Sequence, residues 1–120
     1  MKGTITIEGK TYDTFPNLVQ HDYGFVIQFN LLLNDEKTPY DLTGATSIKF
    51  KAKLLDTSTN KISGTCTATS PATNGICTYT VALANLDTAG VLECEVEVTK
   101  ATAIETVKLG RLSILEDLPT

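Results

Sequence analysis

The residues able to do chemistry are few and far apart. His21 is the single histidine, and Asp22 follows it directly. Neighbours in an extended segment point to opposite sides, so these two do not form a base and its orienting partner. The chain has no GxSxG, no P-loop and no HExxH, so no nucleophile or metal pair stands at a motif spacing. Cys66, Cys77 and Cys94 show no CxxC spacing, which argues against zinc. Each sits among apolar or threonine neighbours and reads as a small buried hydrophobe. The sharper reading is a Cys66–Cys77 or Cys77–Cys94 bridge under oxidising conditions. Asp13, Asp22, Asp35, Asp41, Asp56 and Asp87 lie mostly in turn-like segments, where aspartate caps its own backbone. No DxDxD run marks a calcium loop. The pattern predicts no enzyme, no cofactor and no metal centre.

Two charge triplets do have a spacing. Lys49, Lys51 and Lys53 alternate with Ile48, Phe50, Ala52 and Leu54, and Glu93, Glu95 and Glu97 alternate with Leu92, Cys94, Val96 and Val98. A period of two is a strand with one wet face and one dry face. Three like charges in a row repel one another. Laying the two strands side by side and antiparallel relieves both rows, with each opposite-charge pair contributing roughly 0.2–1 kcal/mol. The competing use is a cation groove, but carboxylates on a flat sheet face converge poorly on one ion.

The elements that must carry these rows follow from the same period. The chain has 120 residues, 42% hydrophobic and 20% charged, with a net charge of -4. That is one domain over 1–120, too apolar for disorder. The longest apolar run, Phe25 to Leu33, is broken by Gln28 and Asn30 and is too short to span a bilayer. An acidic chain with scattered lysines is a poor nucleic-acid binder. The start shows no signal-peptide core, so synthesis and folding in a cytosol are expected.

Alternating segments near 4–8, 24–33, 45–55, 62–69, 75–83, 91–100 and 104–115 are separated by turn clusters, with Asn74-Gly75 a hairpin signal. The reading is all-β: an immunoglobulin-like β-sandwich of about seven antiparallel strands in two sheets. In that order the third and sixth strands, which bear the lysines and the glutamates, are neighbours. Phe25, Ile27, Phe29, Leu31 and Leu33 are expected in the core, with Val26 and Leu32 facing the other way. Cys77, Tyr79, Val81 and Leu83 are expected to share an inward face. In the last strand Val107 and Leu109 fall out of phase with Leu112 and Ile114. A β-bulge at Gly110 restores both pairs to the core, and a bend from one sheet to the other is the alternative.

Gly24-Phe25-Val26-Ile27-Gln28-Phe29-Asn30-Leu31 is followed by Asn34-Asp35-Glu36-Lys37-Thr38-Pro39-Tyr40-Asp41-Leu42-Thr43-Gly44-Ala45-Thr46. Farther on come Asn74-Gly75-Ile76-Cys77-Thr78-Tyr79, Leu86-Asp87-Thr88-Ala89-Gly90 and Glu93-Cys94-Glu95-Val96. Together these resemble the N-terminal domain of phage baseplate upper proteins, over roughly residues 20–117, with Asp41-Leu42-Thr43-Gly44-Ala45-Thr46 the most specific piece. The resemblance implies a non-enzymatic virion protein of the tail or baseplate, made in the host cytoplasm. It implies an adaptor docking on neighbouring tail or baseplate proteins, in several copies and with homo-oligomers among its assemblies. No cofactor, nucleic acid or membrane insertion is implied. Docking would use an edge strand or an apolar patch, and the candidate partner-binding residues are Val26, Leu32, Leu115 and Leu118.

Two other functions suit a sandwich. A carbohydrate-binding module needs exposed rings. The chain has no tryptophan, so Tyr12, Tyr23 and Tyr40, near turns, would have to meet at one end. A bacterial cell-surface immunoglobulin-like domain would need an upstream signal peptide.

Overall fold

The computed structural model describes residues 1–118. Its strands are β1 (Lys2–Ile7), β2 (Lys10–Tyr12), β3 (Leu18–Val19), β4 (Val26–Leu32), β5 (Ala45–Leu54), β6 (Ile62–Thr65), β7 (Thr67–Ala68), β8 (Ile76–Thr80), β9 (Gly90–Lys100) and β10 (Ala103–Leu115). They form two five-stranded sheets, ordered β2-β1-β4-β8-β7 and β3-β10-β9-β5-β6.

The all-β sandwich is as expected, but it has ten strands where seven were read. Three differences account for this. The chain turns back after β1 through Glu8 and Gly9, both at positive φ, the backbone of a two-residue hairpin turn, and so adds β2. The stretch read as one strand over 62–69 splits at Cys66. β6 pairs with β5 in one sheet, while β7 pairs with β8 in the other. Such a switch makes a corner of a sandwich. Finally, β3 pairs with the end of β10 in parallel, Leu18 opposite Ile114 and Val19 opposite Leu115. The sheets are therefore not wholly antiparallel.

The core is built by alternation. Ile27, Phe29 and Leu31 of β4 face Ile48, Phe50 and Ala52 of β5 and Leu92, Cys94, Val96 and Val98 of β9, all buried. Phe29 and Phe50, from opposite sheets, meet with ring centroids 5.1 Å apart. Phe50 also meets Tyr79 at 5.5 Å, and Phe15 meets Phe50 at 6.0 Å and Phe29 at 6.4 Å.

Two expected core residues are outside it. Leu33 is 42% exposed and Leu83 is 73% exposed. Both lie past the end of their strands, β4 stopping at Leu32 and β8 at Thr80. Once pairing ends, the period of two no longer fixes which way a side chain points. The β10 phase change is the expected bulge: Lys108 pairs with Glu95 and Gly110 with Cys94, leaving Leu109 as the extra residue. Gly110 takes φ +80°, and Val107, Leu109, Leu112 and Ile114 are all buried.

The hairpin between β7 and β8 is present, but Asn74-Gly75 is not a two-residue turn. A short 3-10 helix, Ala72–Asn74, precedes it, and Gly75 ends that helix in the left-handed region.

Candidate functional site

The outer face of the β10-β9-β5 layer carries the charge rows. Lys49 stands opposite Glu97, Lys51 opposite Glu95 and Lys53 opposite Glu93, as the repulsion argument requires. A second cationic row lies on the far side, with Lys108 opposite Glu95 and Arg111 opposite Glu93. The acidic row is thus sandwiched between two basic ones. Lys53–Glu93 at 3.8 Å and Lys108–Glu95 at 2.5 Å pair straight across, while Lys51 reaches diagonally to Glu97 at 3.1 Å. The Glu95 carboxylate, which accepts a hydrogen bond from the ammonium, lifts the Lys108 pKa above its ordinary value. A hollow of about 500 Å³ opens here, lined by Lys51, Lys53, Glu93, Glu95, Lys108 and Arg111 among others. Its three lysines are paired with Glu93, Glu95 and Glu97, and the Cys94 thiol that also lines it is buried.

The middle of the other sheet's outer face is uncharged and bonds to itself. Gln28 Nε2 donates to Asn30 Oδ1 at 2.8 Å, and Asn30 Nδ2 donates to the hydroxyls of Thr4 and Thr6, each at 3.0 Å. The Thr6 and Thr11 hydroxyls share a bond of 2.8 Å, carrying the ladder to β2.

The Asp41-Leu42-Thr43-Gly44 segment is a corner. The Thr43 amide donates to Asp41 Oδ1 at 2.8 Å, Lys100 Nζ donates to the Asp41 carbonyl at 2.7 Å, and Lys100 lies 4.6 Å from the Tyr40 ring centroid. Leu42 is buried beneath. Hydrogen bonds from Thr43, side chain first and amide second, hold the Asp41 carboxyl below its ordinary pKa. Asp35 is lowered in the same way by the Thr38 hydroxyl, then by the Thr38 and Lys37 amides. A carboxyl with a lowered folded pKa contributes stability above its unfolded value, and that contribution is lost as the pH falls through the folded value. Denaturant midpoints are therefore expected to drop as the pH goes below about 4. Asp41→Asn and Asp35→Asn should flatten that drop, and an unchanged acid limb in the double variant would show that these corners do not set it.

The three cysteines are free and buried. Burial pushes the Cys94 thiol up to about 12. A hydrogen bond with Cys66, then burial, pushes Cys77 up as well. Cys77 and Cys94 are therefore the opposite of a reactive thiol, whose pKa is lowered. His21 stands exposed in a turn at φ +73°. Among the described residues no group of three or more His, Cys, Asp or Glu is placed to hold a metal, and no helix is long and apolar enough to cross a membrane.

The tyrosines do not cluster. Tyr40 is buried, and its amide bonds the Leu31 carbonyl at one end of β4, while Tyr23 stands exposed before the other end. Tyr79 points inward as expected, and its hydroxyl donates to Asn85 Oδ1 at 2.6 Å.

Of the four candidate partner-binding residues, three come to one end of the sandwich. Val26 pairs with Thr80 at the start of β4, Leu115 pairs with Val19, and Leu118 follows shortly after. All three are exposed, Leu118 at 82%. Leu32 lies at the opposite end of β4, opposite Lys2 and bridged to Pro39, and is only partly exposed. Val19, Tyr23 and Leu83 join the first group; none was read as a partner contact, because Val19 lies in a two-residue strand and Tyr23 and Leu83 lie in loops.

A sandwich whose broad faces carry their own ion pairs and hydrogen bonds, with most of its large exposed hydrophobics at one end, is a binding or structural domain in type. The model of the BppU N-terminal domain family matches residues 17–114, and the chain belongs to that family, the N-terminal domain of phage baseplate upper proteins. It is a phage baseplate structural domain, placed by its family in the virion tail. Neither a curated protein nor a solved structure matches the chain.

Proposed function

We propose that the chain is a non-enzymatic, immunoglobulin-like adaptor that docks on a neighbouring tail protein of the virion. The immunoglobulin-like reading is supported by the pairing order: β1-β4-β8-β7 on one side and β10-β9-β5 on the other follow the ABED and GFC orders. The observation that carries the docking reading is the gathering of Val26, Leu115 and Leu118 at one end, while both sheet faces are occupied by their own polar networks. Contiguous exposed apolar surface on an otherwise polar domain marks a contact site. The sugar-binding reading loses its support with the scattered tyrosines.

The test is co-sedimentation of the purified chain with tail particles of the parent phage assembled without it. The adaptor reading expects the chain in the particle fraction. A chain left wholly in the supernatant, and monomeric by light scattering at high concentration, overturns the reading.

A further inference from the structure

Eight large hydrophobics are exposed among the described residues, and six of them, Val19, Tyr23, Val26, Leu83, Leu115 and Leu118, belong to one end of the sandwich. Hydrogen bonds tie the segments that carry them. The Gln20 amide donates to the Leu115 carbonyl, the Gly24 amide to Val81, the Val81 amide to Phe25 and the His21 amide to Leu86. Gln20 also bridges outward, its Nε2 donating to the Asp87 carbonyl and its Oε1 accepting from the Asp117 amide. The Leu83 turn is closed by Asn85, whose Oδ1 accepts from the Ala82 amide and the Tyr79 hydroxyl. The apolar side chains thus stand on a braced platform rather than on loose loops.

The charge at this end has one dominant sign. Asp22, Glu116 and Asp117 are exposed beside Val19, Tyr23, Leu115 and Leu118. Asp87 lies beneath the Gln20 bridge and is paired with Lys61 at 2.5 Å, Lys61 also donating to the Ala84 carbonyl. Four carboxylates thus stand here with one lysine already in use; Glu8 and Lys10, one of each sign, lie at the β1–β2 turn beside the start of β4 and leave the balance acidic, and His21 and Tyr23 complete the titratable groups of these segments. The basic rows lie elsewhere, on the β5 and β10 strands.

We infer that this end is the docking surface of the domain and that its partner is a protein presenting apolar side chains ringed by lysine or arginine. The inference rests on the adaptor reading and adds the surface and the partner's chemistry. The charge decides against a second copy: two such ends brought together would set carboxylate against carboxylate around the apolar contact, and like charges facing each other across an interface oppose association. A basic rim instead pairs with Asp22, Glu116 and Asp117 while the apolar side chains supply the buried centre, the usual division between rim and core.

Two short synthetic peptides test this on the full chain, one alternating leucine with lysine and one alternating leucine with glutamate, with binding followed by amide chemical shifts. The lysine peptide is expected to move the amides of Val19, Val26, Leu83 and Leu115, and its affinity is expected to fall about tenfold or more between low and high salt, as screening removes the rim contribution. The exposed pair Leu83→Ser with Leu115→Ser is expected to weaken it by a similar factor while leaving the thermal midpoint in place. Glu116→Lys with Asp117→Lys should reverse the preference toward the glutamate peptide. Equal binding of both peptides, no binding of either, or shifts confined to the Lys51 and Arg111 face overturns the inference. The particle experiment separates the two levels. If the parent chain co-sediments and the double serine variant does so equally, the surface is wrong and the adaptor reading stands. If the parent chain stays in solution, the adaptor reading fails, and the peptides still decide the chemistry of this end.

Discussion

Phe50→Ala is expected to cost about 3–5 kcal/mol, the range for deleting a fully buried ring from a core that cannot close around the gap. Phe50 is 1% exposed and is the ring through which the two sheets communicate. Its centroid lies 5.1 Å from Phe29, 5.5 Å from Tyr79 and 6.0 Å from Phe15. Removing it strips contacts from three aromatic neighbours at once. A domain of this size has roughly 5–15 kcal/mol of stability in total, so most or all of the margin goes. Urea titration is the measurement: the midpoint should fall with the slope unchanged, because the surface exposed on unfolding hardly differs. Val26→Ala, at an exposed site, is the control and should stay within about 0.5 kcal/mol. A Phe50→Ala loss no larger than the control's would place the structural centre somewhere other than this aromatic group.

How far the sequence discloses this arrangement depends on the length of each strand. β5, β9 and β10 are long, and their period of two fixed both faces. The charge rows placed the lysine and glutamate strands side by side and antiparallel, and the register of Lys49, Lys51 and Lys53 against Glu97, Glu95 and Glu93 came from the structure. β2, β3 and β7 were illegible: two or three residues cannot show a period, and their pairing comes from partners distant in sequence. Phe15 was missed for the same reason. It sits beside Pro16 between β2 and β3, and nothing local says that it fills the space between the sheets. The second cationic row was hidden by the bulge. Lys108 and Arg111 are three apart, which in an unbroken strand puts them on opposite faces; the extra Leu109 returns them to one. Gly110 was legible as a bulge, but its consequence for charge needed the partner strand.

The apolar end was half legible. Val26 stood out because an apolar residue occupied the outward phase of a strand, and Leu115 and Leu118 because they lay near the end of the last strand. Leu32 satisfied the same rule as Val26 and yet lies at the other end of β4. Phase names a face, and only topology names an end. Tyr23 and Leu83 fall outside any strand, so no phase applies to them, and their convergence with Val26 follows from the bonds that join Gly24, Phe25 and Val81.

Gly75→Ala is expected to be the most damaging single methyl that can be added to a loop of this domain. Gly75 has φ +71°, and a Cβ built there would lie 2.5 Å from the Leu31 carbonyl oxygen and 2.9 Å from both the nitrogen and the oxygen of Tyr40. All three are backbone atoms, and two of them are bonded to each other's segment: the Tyr40 amide donates to the Leu31 carbonyl at 2.8 Å, and the Leu31 amide donates to the Gly75 carbonyl at 2.8 Å. A side chain can swing away from a new methyl, but this junction of β4, the Tyr40 corner and β8 can yield only by breaking those bonds. The left-handed backbone alone costs an alanine about 1–2 kcal/mol. Overpacking adds roughly 1–3 kcal/mol, and each lost hydrogen bond about 1 kcal/mol. Gly9→Ala separates these contributions, because Gly9 has φ +82° with nothing within 4 Å of the added carbon. That variant should pay the backbone strain and no more. Urea titrations of the two side by side therefore read the close approach as a difference, with Gly75→Ala lower by about 2 kcal/mol or more. Equal losses would mean that the Gly75 junction opens freely and does not fix how the Tyr40 corner seats against β4.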